Sequence, residues 1–129
     1  MPITTALQPY SPDDGPLDRW GEIQVLRLLT SQNWNILGQN IRGIGFEVDL
    51  AAQKKGSLIV VEVKTRNRVP QNLCELAPIS KQRCLAKGLN HVYSKVKNHH
   101  EIETMRIDLA LIVCRPICEL SYFPNCFTE

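Results

Sequence analysis

The sequence lacks any long apolar run, and its first residues lack the basic start and apolar stretch of a secretory signal. No run approaches the ~18 to 20 residues that a membrane span requires. We therefore expect a cytoplasmic protein with no membrane partner. An excess of one charge is also missing, because 15 Lys and Arg residues against 13 Asp and Glu residues give a formal net charge of +2. A nucleic-acid partner is thus not indicated by net charge and would need a local basic surface.

Aromatic residues make up only 6% of the chain and do not alternate with cations, so no stacking surface for single strands is predicted. The five cysteines are an odd, scattered set without the close paired spacing of zinc sites. We interpret them as reduced, mostly buried thiols. The three histidines resemble ordinary surface or helix-end residues, and we expect neither a histidine base nor a small-molecule cofactor.

The chain divides into a short proline-rich segment and one domain. Four of the eight prolines lie within residues 1–17, beside Asp13, Asp14 and Gly15, a composition that sustains neither a helix nor a central strand. We expect a poorly ordered tail there. The remaining residues, 18–129, are enough for one compact domain with a real core.

Apolar periodicity predicts two helices and a small number of strands. The helices are expected near Asp18–Ser31, with Asp18 as N-cap, and near Lys81–Lys97; the strands are expected near 35–42, 46–52, 58–66, 106–114 and Ile117–Phe123. The first three strands form a meander, and the last forms an edge of the sheet. This order predicts an α/β fold with a mixed sheet of four to five strands covered by two main helices.

Two charges follow the most apolar strand. Leu58–Val61 has no polar alternation and is therefore expected in the interior of the sheet. Alternation then directs Glu62 and Lys64 to the same face as Leu58. If the turn after Lys54 closes a symmetric hairpin, positions summing to about 111 face each other, which places Asp49 opposite Glu62.

The same register places Glu47 opposite Lys64. Like charges facing each other destabilise a sheet, and a partly buried unpaired charge costs several kcal/mol, so the Asp49 and Glu62 pair needs a compensating cation. Glu22 lies on the apolar stripe of the first helix at ~100° per residue and is turned toward the sheet. Glu22, Asp49 and Glu62 against Lys64 leave a charge of about −2, which suits one Mg²⁺ or Mn²⁺ ion.

Each of these residues also has a purely structural interpretation. Glu22 alone is often a helix-start charge favoured by the macrodipole. Glu62 and Lys64 alone could be a surface ion pair worth under ~1 kcal/mol. Their position after a buried run favours function, because burying charge without a purpose is expensive.

The ordered set of motifs resembles the YraN family, also called UPF0102. The resemblance covers about residues 19–127 and rests on the following segments: Gly21-Glu22, Asn40-Ile41-Arg42, Glu47-Val48-Asp49-Leu50, Val61-Glu62-Val63-Lys64-Thr65-Arg66, Lys81-Gln82-Arg83, Arg106-Ile107-Asp108 and Asn125-Cys126-Phe127. An Asp followed by Glu-x-Lys on the next strand is similar to the signature of the PD-(D/E)XK nuclease superfamily. Phe46 stands where relatives commonly carry a second glycine before the Glu.

The resemblance implies a restriction endonuclease-like fold and a divalent-metal-dependent endonuclease acting on DNA, including branched or damaged DNA in repair or recombination. It implies that Asp49 and Glu62 hold Mg²⁺ or Mn²⁺ and that Lys64 positions the attacking water. Glu22 would add a metal ligand, directly or through water. Related nucleases often work as dimers, so a homodimer is compatible with the resemblance.

Cations near this edge are the expected phosphate contacts. They are Arg42, Arg66, Arg68, Lys81, Arg83 and Lys87, of which Lys81 lies on the inward side of its helix near the start. Two alternatives stay open at this point. One is a nucleic-acid-binding module of the same fold with little turnover, acting as a subunit of a repair assembly. The other is a structural interaction protein that uses the proline-rich tail, which leaves the carboxylates unexplained.

Overall fold

The computed structural model describes residues 3–127, apart from the Cys74 side chain, and has two helices packed on one six-stranded sheet. The strands are β1 (Ile3–Ala6), β2 (Asn35–Gly43), β3 (Phe46–Lys54), β4 (Ser57–Arg66), β5 (Thr104–Cys114) and β6 (Cys118–Phe123), and the helices are α1 (Leu17–Ser31) and α2 (Ile79–Val96). Within the described residues, neither helix has the length and apolar character needed to cross a lipid bilayer.

The sheet is mixed, as predicted. Its strand order is β1-β6-β5-β4-β3-β2, with β4 and β5 parallel and every other neighbouring pair antiparallel. The α2 crossover makes the parallel pairing possible, because parallel neighbours need a long connection. The α/β class is therefore confirmed, with six strands in place of the four to five expected.

The additional strand comes from the proline-rich segment, for which the expectation of a disordered tail is wrong over residues 3–17. Ile3 to Ala6 pair with Tyr122 to Glu119 of β6, and the Tyr10 ring packs edge-on against Trp20 with centroids 5.2 Å apart. The four prolines exclude a central strand but leave four residues before Pro9 free to pair. Because β1 covers it, β6 is not the edge strand that we expected.

The predicted helices are confirmed, with one difference at the start of α1. Pro16 precedes the helix, and Asp18 lies inside its first turn instead of capping it. The Asp18 carboxylate accepts a hydrogen bond of 2.7 Å from the Thr65 hydroxyl of β4. Pro16 occupies the N-cap position, so Asp18 does not cap the helix. The Asp18 side chain instead connects α1 to the end of β4.

Each helix covers one face of the sheet. On the α1 side, Trp20, Val25 and Leu29 pack against side chains of β3, β4, β5 and β6. On the α2 side, Leu85, Leu89 and Val92 pack against Val48, Ala51, Leu58, Val60 and Ile107. Both faces of the central strands are thus buried under helices, which agrees with the unbroken apolar run of β4.

Both helices approach the sheet through a glycine. A Cβ placed on Gly21 of α1 would lie 2.6 Å from Thr65 Cγ2, and a Cβ on Gly88 of α2 would lie 2.5 Å from Val48 Cγ1. These contacts are shorter than methyl groups tolerate, so the glycines set how closely the helices lie over the ends of β3 and β4.

We expect Gly88→Ala to destabilise the protein by about 1 to 3 kcal/mol, because overpacking a tight contact forces Val48 or α2 to shift. The intrinsic helix preference for alanine would act in the opposite direction by about 1 kcal/mol. Urea unfolding measures the difference. Asn90→Ala, at an exposed position of the same helix, is the control and should cause no loss; a Gly88→Ala protein as stable as wild type would contradict the close approach.

The cysteine interpretation needs correction at one pair. Cys114 and Cys118 are joined by a disulfide, whereas we expected reduced thiols throughout. The two residues face each other in the antiparallel register of β5 and β6. The hairpin itself therefore brings two cysteines four positions apart into contact. Cys84 remains a free thiol.

Candidate functional site

The charged end of β4 is buried, as its sequence position predicts. Leu58 and Val60 pack under α2, and alternation continues this face to Glu62. The Glu62 side chain is only 3% exposed, and Lys64 is half-buried. A surface ion pair is therefore not a sufficient explanation for Glu62.

The predicted register between β3 and β4 is confirmed. The pairs run from Lys54 and Ser57 to Leu50 and Val61, all consistent with a sum of 111. The ladder ends at this last pair. Beyond it, the Asp49 carboxylate Oδ2 accepts a hydrogen bond of 2.8 Å from the backbone N–H of Val63. A side chain thus replaces the backbone acceptor, and this bond fixes the direction of Asp49.

Strand alternation also breaks at Asp49. Val48 packs under α2 and Leu50 under α1, although two positions two residues apart normally share a face. On the neighbouring strand, the β2 and β3 pairing passes from Gln39 to Ile41, and Asn40 between them has a φ of 49°. The Asp49 carboxylate, opposite this irregularity, is directed toward β4. Sequence alternation alone does not reveal it.

Asp49 and Glu62 form a carboxyl pair whose environment favours the protonated form of Asp49. Burial, a hydrogen bond with the Glu62 carboxyl and repulsion from Glu62 raise the pKa of Asp49 to about 7. Two neighbouring carboxylates in a poorly solvated place do not both ionise at low cost. The like-charge strain expected from the sequence is therefore present.

The compensating cation in this structure is Lys81 from the first turn of α2. Its Nζ lies 2.9 Å from Glu62 Oε2, although this buried oxygen accepts no hydrogen bond of good geometry from any described residue. Burial would lower the pKa of Lys81, but the close contact of its ammonium with the Glu62 carboxylate and the attraction to Asp49 and Glu47 outweigh burial and raise the pKa. The charge count made from the sequence omitted Lys81, which we had assigned to phosphate contact.

The residues expected at the site line one cleft of about 230 Å³. Its walls include Glu22, Asp49, Glu62, Lys64, Arg66 and Lys81, together with Asp18 and Glu47. Partial burial and then repulsion from Asp49 and Asp18 raise the pKa of Glu22.

The cleft does not contain a preformed set of three metal ligands among the described residues. Within residues 3–127, no three His, Cys, Asp or Glu side chains stand at metal-binding spacing, so Glu22 does not join Asp49 and Glu62 at ligand distance in this conformation. Two carboxylates still suit Mg²⁺, which keeps several water ligands. The buried Glu62 Oε2 without a hydrogen bond is the atom that a hard cation would satisfy.

One prediction about the surrounding charges needs revision. Glu47 does not face Lys64; it pairs with Arg42 across β2 and β3, with Nε 3.2 Å from Oε1, because the β3 and β4 ladder has already ended. Among the described residues, Lys64 forms no ion pair at all. Arg66 reaches the cleft, whereas Arg42 and Arg83 lie on the exposed surface outside its lining.

The raised pKa of Asp49 predicts a pH dependence of stability. In metal-free protein, wild type should lose stability relative to Asp49→Asn as the pH rises from the ordinary value of 3.8 to about 7, since only the folded state retains this proton there. The difference should be on the order of a few kcal/mol and constant above the upper limit. Urea unfolding with a chelator measures it. Parallel pH profiles for the two proteins would contradict the carboxyl pair.

A second buried carboxylate, Asp108 of β5, has a different character. It is 0% exposed, and its oxygens accept hydrogen bonds from the Arg106 guanidinium at 3.0 Å, the Tyr122 hydroxyl at 2.5 Å and the Asn125 backbone N–H at 2.8 Å. Every partner of this carboxylate is a protein donor. The Arg106-Ile107-Asp108 motif therefore fastens β5, β6 and the segment after β6.

Together, the fold and the cleft define a small α/β domain that places the buried Glu62, the half-buried Asp49 and two lysines at one end of its central strands. The family described as "Uncharacterised protein family UPF0102" matches residues 21–112. The chain belongs to this family, which confirms the resemblance inferred from the motifs.

The relatives include three UPF0102 proteins from different organisms. The protein of Trichlorobacter lovleyi is 33% identical over 111 residues, which covers 83% of this chain and 86% of the relative. The protein of Synechococcus sp. (strain JA-3-3Ab) is 35% identical over 118 residues, covering 90% and 84%. A UPF0102 protein of Acinetobacter baumannii (strain AYE) is 36% identical over 72 residues, covering 55% and 54%. These similarities establish the family and carry no statement of activity.

Proposed function

We propose that the protein is a divalent-metal-dependent endonuclease that hydrolyses phosphodiester bonds in DNA. The observation that carries this proposal is the buried Glu62 carboxylate, 3% exposed, paired with Asp49 in a cleft that Lys64 also lines. A stable fold gains little from this arrangement, since a buried like-charge pair costs free energy. Sites that perform chemistry commonly keep such perturbed groups.

Asp49 and Glu62 are the residues that would hold Mg²⁺ or Mn²⁺. The chemistry that such an ion supplies is Lewis acidity, which polarises a phosphate oxygen and makes water easier to deprotonate. The Val63 N–H holds Asp49 in place, so one carboxylate direction is fixed before any ligand arrives. Glu22 lines the same wall and would act through a bridging water.

Lys64 is the residue that would orient the attacking water or neutralise a nonbridging phosphate oxygen. It projects from the strand that carries Glu62, two positions later, and its ammonium has no carboxylate partner among the described residues. A cation that is not already neutralised is suited to stabilising charge that develops during reaction. Arg66, on the same wall, would contact the neighbouring phosphate.

A panel of labelled nucleic acids tests this function. We expect cleavage of at least one DNA among linear duplex, single strand, nicked duplex and four-way junction, with Mg²⁺ or Mn²⁺ and not with a chelator. The preference for branched or damaged DNA rests on analogy of fold, and the panel decides it. An RNA of matched sequence tests the preference for DNA. Absence of cleavage for every substrate with both ions would contradict the proposal.

A second candidate, a nucleic-acid-binding module with little turnover, is favoured by one contact. The Lys81 ammonium contacts the Glu62 oxygen that a bound metal ion would need as a ligand. If this contact is permanent, the cleft holds an internal cation in place of a metal. Calorimetry separates the two functions: absence of Mn²⁺ binding at millimolar metal, together with salt-sensitive DNA binding, would support the module.

A further inference from the structure

Lys81 occupies an unusual position for a phosphate-binding cation. It lies in the first turn of α2, its side chain is 31% exposed, and its Nζ is 2.9 Å from Glu62 Oε2. That oxygen is the buried acceptor without a well-directed hydrogen bond. The contact is therefore an ion pair whose lysine side chain is partly exposed to solvent.

A metal ion and the ammonium compete for the same atom. A Mg²⁺ ligand oxygen lies about 2.0 to 2.1 Å from the ion, so an ammonium at ion-pair distance from that oxygen would meet a doubly positive charge. Like charges at such separations repel strongly in a poorly solvated cleft. The two cations do not share Glu62 Oε2.

We propose that Lys81 is an exchangeable counter-ion, which neutralises Glu62 while no metal is bound and leaves this oxygen when a divalent ion binds. This inference rests on the proposed function, since it needs a metal at Asp49 and Glu62. Lys81 is a positioning residue in this account. It sets the metal affinity of the cleft and keeps the metal-free protein folded.

The surroundings of Lys81 allow the exchange. Its side chain is flexible and reaches solvent, and Glu62 is its one ion-pair partner within residues 3–127. The helix start stays fixed, because the Gln82 side chain donates a hydrogen bond of 2.9 Å to the Ala77 carbonyl. The ammonium can thus leave Glu62 by side-chain rotation, without unwinding α2.

Titration calorimetry with Mn²⁺ tests the exchange. At about pH 8 we expect Lys81→Met to bind Mn²⁺ about tenfold or more tightly than wild type, because the competing cation is gone. Lys95→Met removes an exposed cation from the same helix and should change the affinity by less than about twofold.

Thermal unfolding gives a second readout in the same proteins. Metal-free Lys81→Met should melt below metal-free wild type, since Glu62 is left buried without a counter-ion, and Mn²⁺ should raise its melting temperature more than it raises that of wild type. Lys81→Gln keeps a polar side chain without the charge, and it provides the same comparison if the Met variant does not fold.

The outcomes separate this inference from the proposed function. Equal or weaker Mn²⁺ binding by both Lys81 variants, with binding by wild type intact, overturns the exchange alone. Binding by the variants and not by wild type supports it. If neither wild type nor the variants bind Mn²⁺, the metal-dependent function fails and the exchange fails with it.

Discussion

Glu62→Gln and Lys64→Met should each lower metal-dependent DNA cleavage by about a thousandfold or more, the range seen when a group that stabilises the transition state is removed. Glu62→Gln preserves the shape of the side chain and removes the charge that holds the metal. Lys64→Met preserves the apolar stem and removes the ammonium. Cleavage rates under single-turnover conditions measure both effects.

The matched controls are changes of the same kind at exposed positions. Glu119 lies on β6 and Lys95 lies in the last turn of α2. The Glu119→Gln and Lys95→Met proteins should both cleave DNA at the wild-type rate. Circular dichroism and unfolding midpoints establish that all four variants are folded. Wild-type cleavage by both Glu62→Gln and Lys64→Met would mean that the activity belongs to a contaminant or to another site.

The largest effect on stability is expected at Asp108. Asp108→Ala should lower the free energy of unfolding by about 3 to 5 kcal/mol, the usual cost of removing one partner of a buried charged pair. Arg106, the Tyr122 hydroxyl and the Asn125 N–H would all lose their acceptor. Burial and the adjacent carboxylate raise the pKa of Tyr122, so its hydroxyl stays protonated and donates.

Asp108→Asn distinguishes charge from shape. Its amide presents two donors to a set of partners that are themselves donors, so it should also destabilise the protein, by less than the alanine variant. Urea unfolding measures both, with Glu119→Gln expected within about 0.5 kcal/mol of wild type. A loss below about 1 kcal/mol for Asp108→Ala would show that the network is not a structural anchor.

Local patterns were enough to predict most of the elements. The helical stripe of α2, with Leu85, Leu89 and Val92, was confirmed as its buried face. The hairpin register was predicted from the polar turn after Lys54, and the observed β3 and β4 pairs follow this register. Periodicity and turn chemistry depend on residues close together in the chain. They can therefore be recognised in the sequence without the fold.

The proline-rich segment shows where local patterns fail. Composition excluded a helix and a central strand there, which is correct, but it does not reveal that Ile3 to Ala6 find a partner more than a hundred residues away in β6. Edge pairing depends on which strand the rest of the fold leaves open. Similarly, the Cys114 and Cys118 disulfide follows from the hairpin register and not from their spacing as such.

From the sequence alone, hairpin closure predicts that Asp49 lies beside Glu62, and alternation predicts that Glu62 and Lys64 share a face at the end of a buried strand. The direction of the Asp49 carboxylate came only from the structure. Only the tertiary structure decided which cation compensates the carboxyl pair. Lys81 reaches Glu62 because α2 lies close over β3 at Gly88. The distance between a helix and a sheet depends on how whole elements pack, which no local periodicity contains.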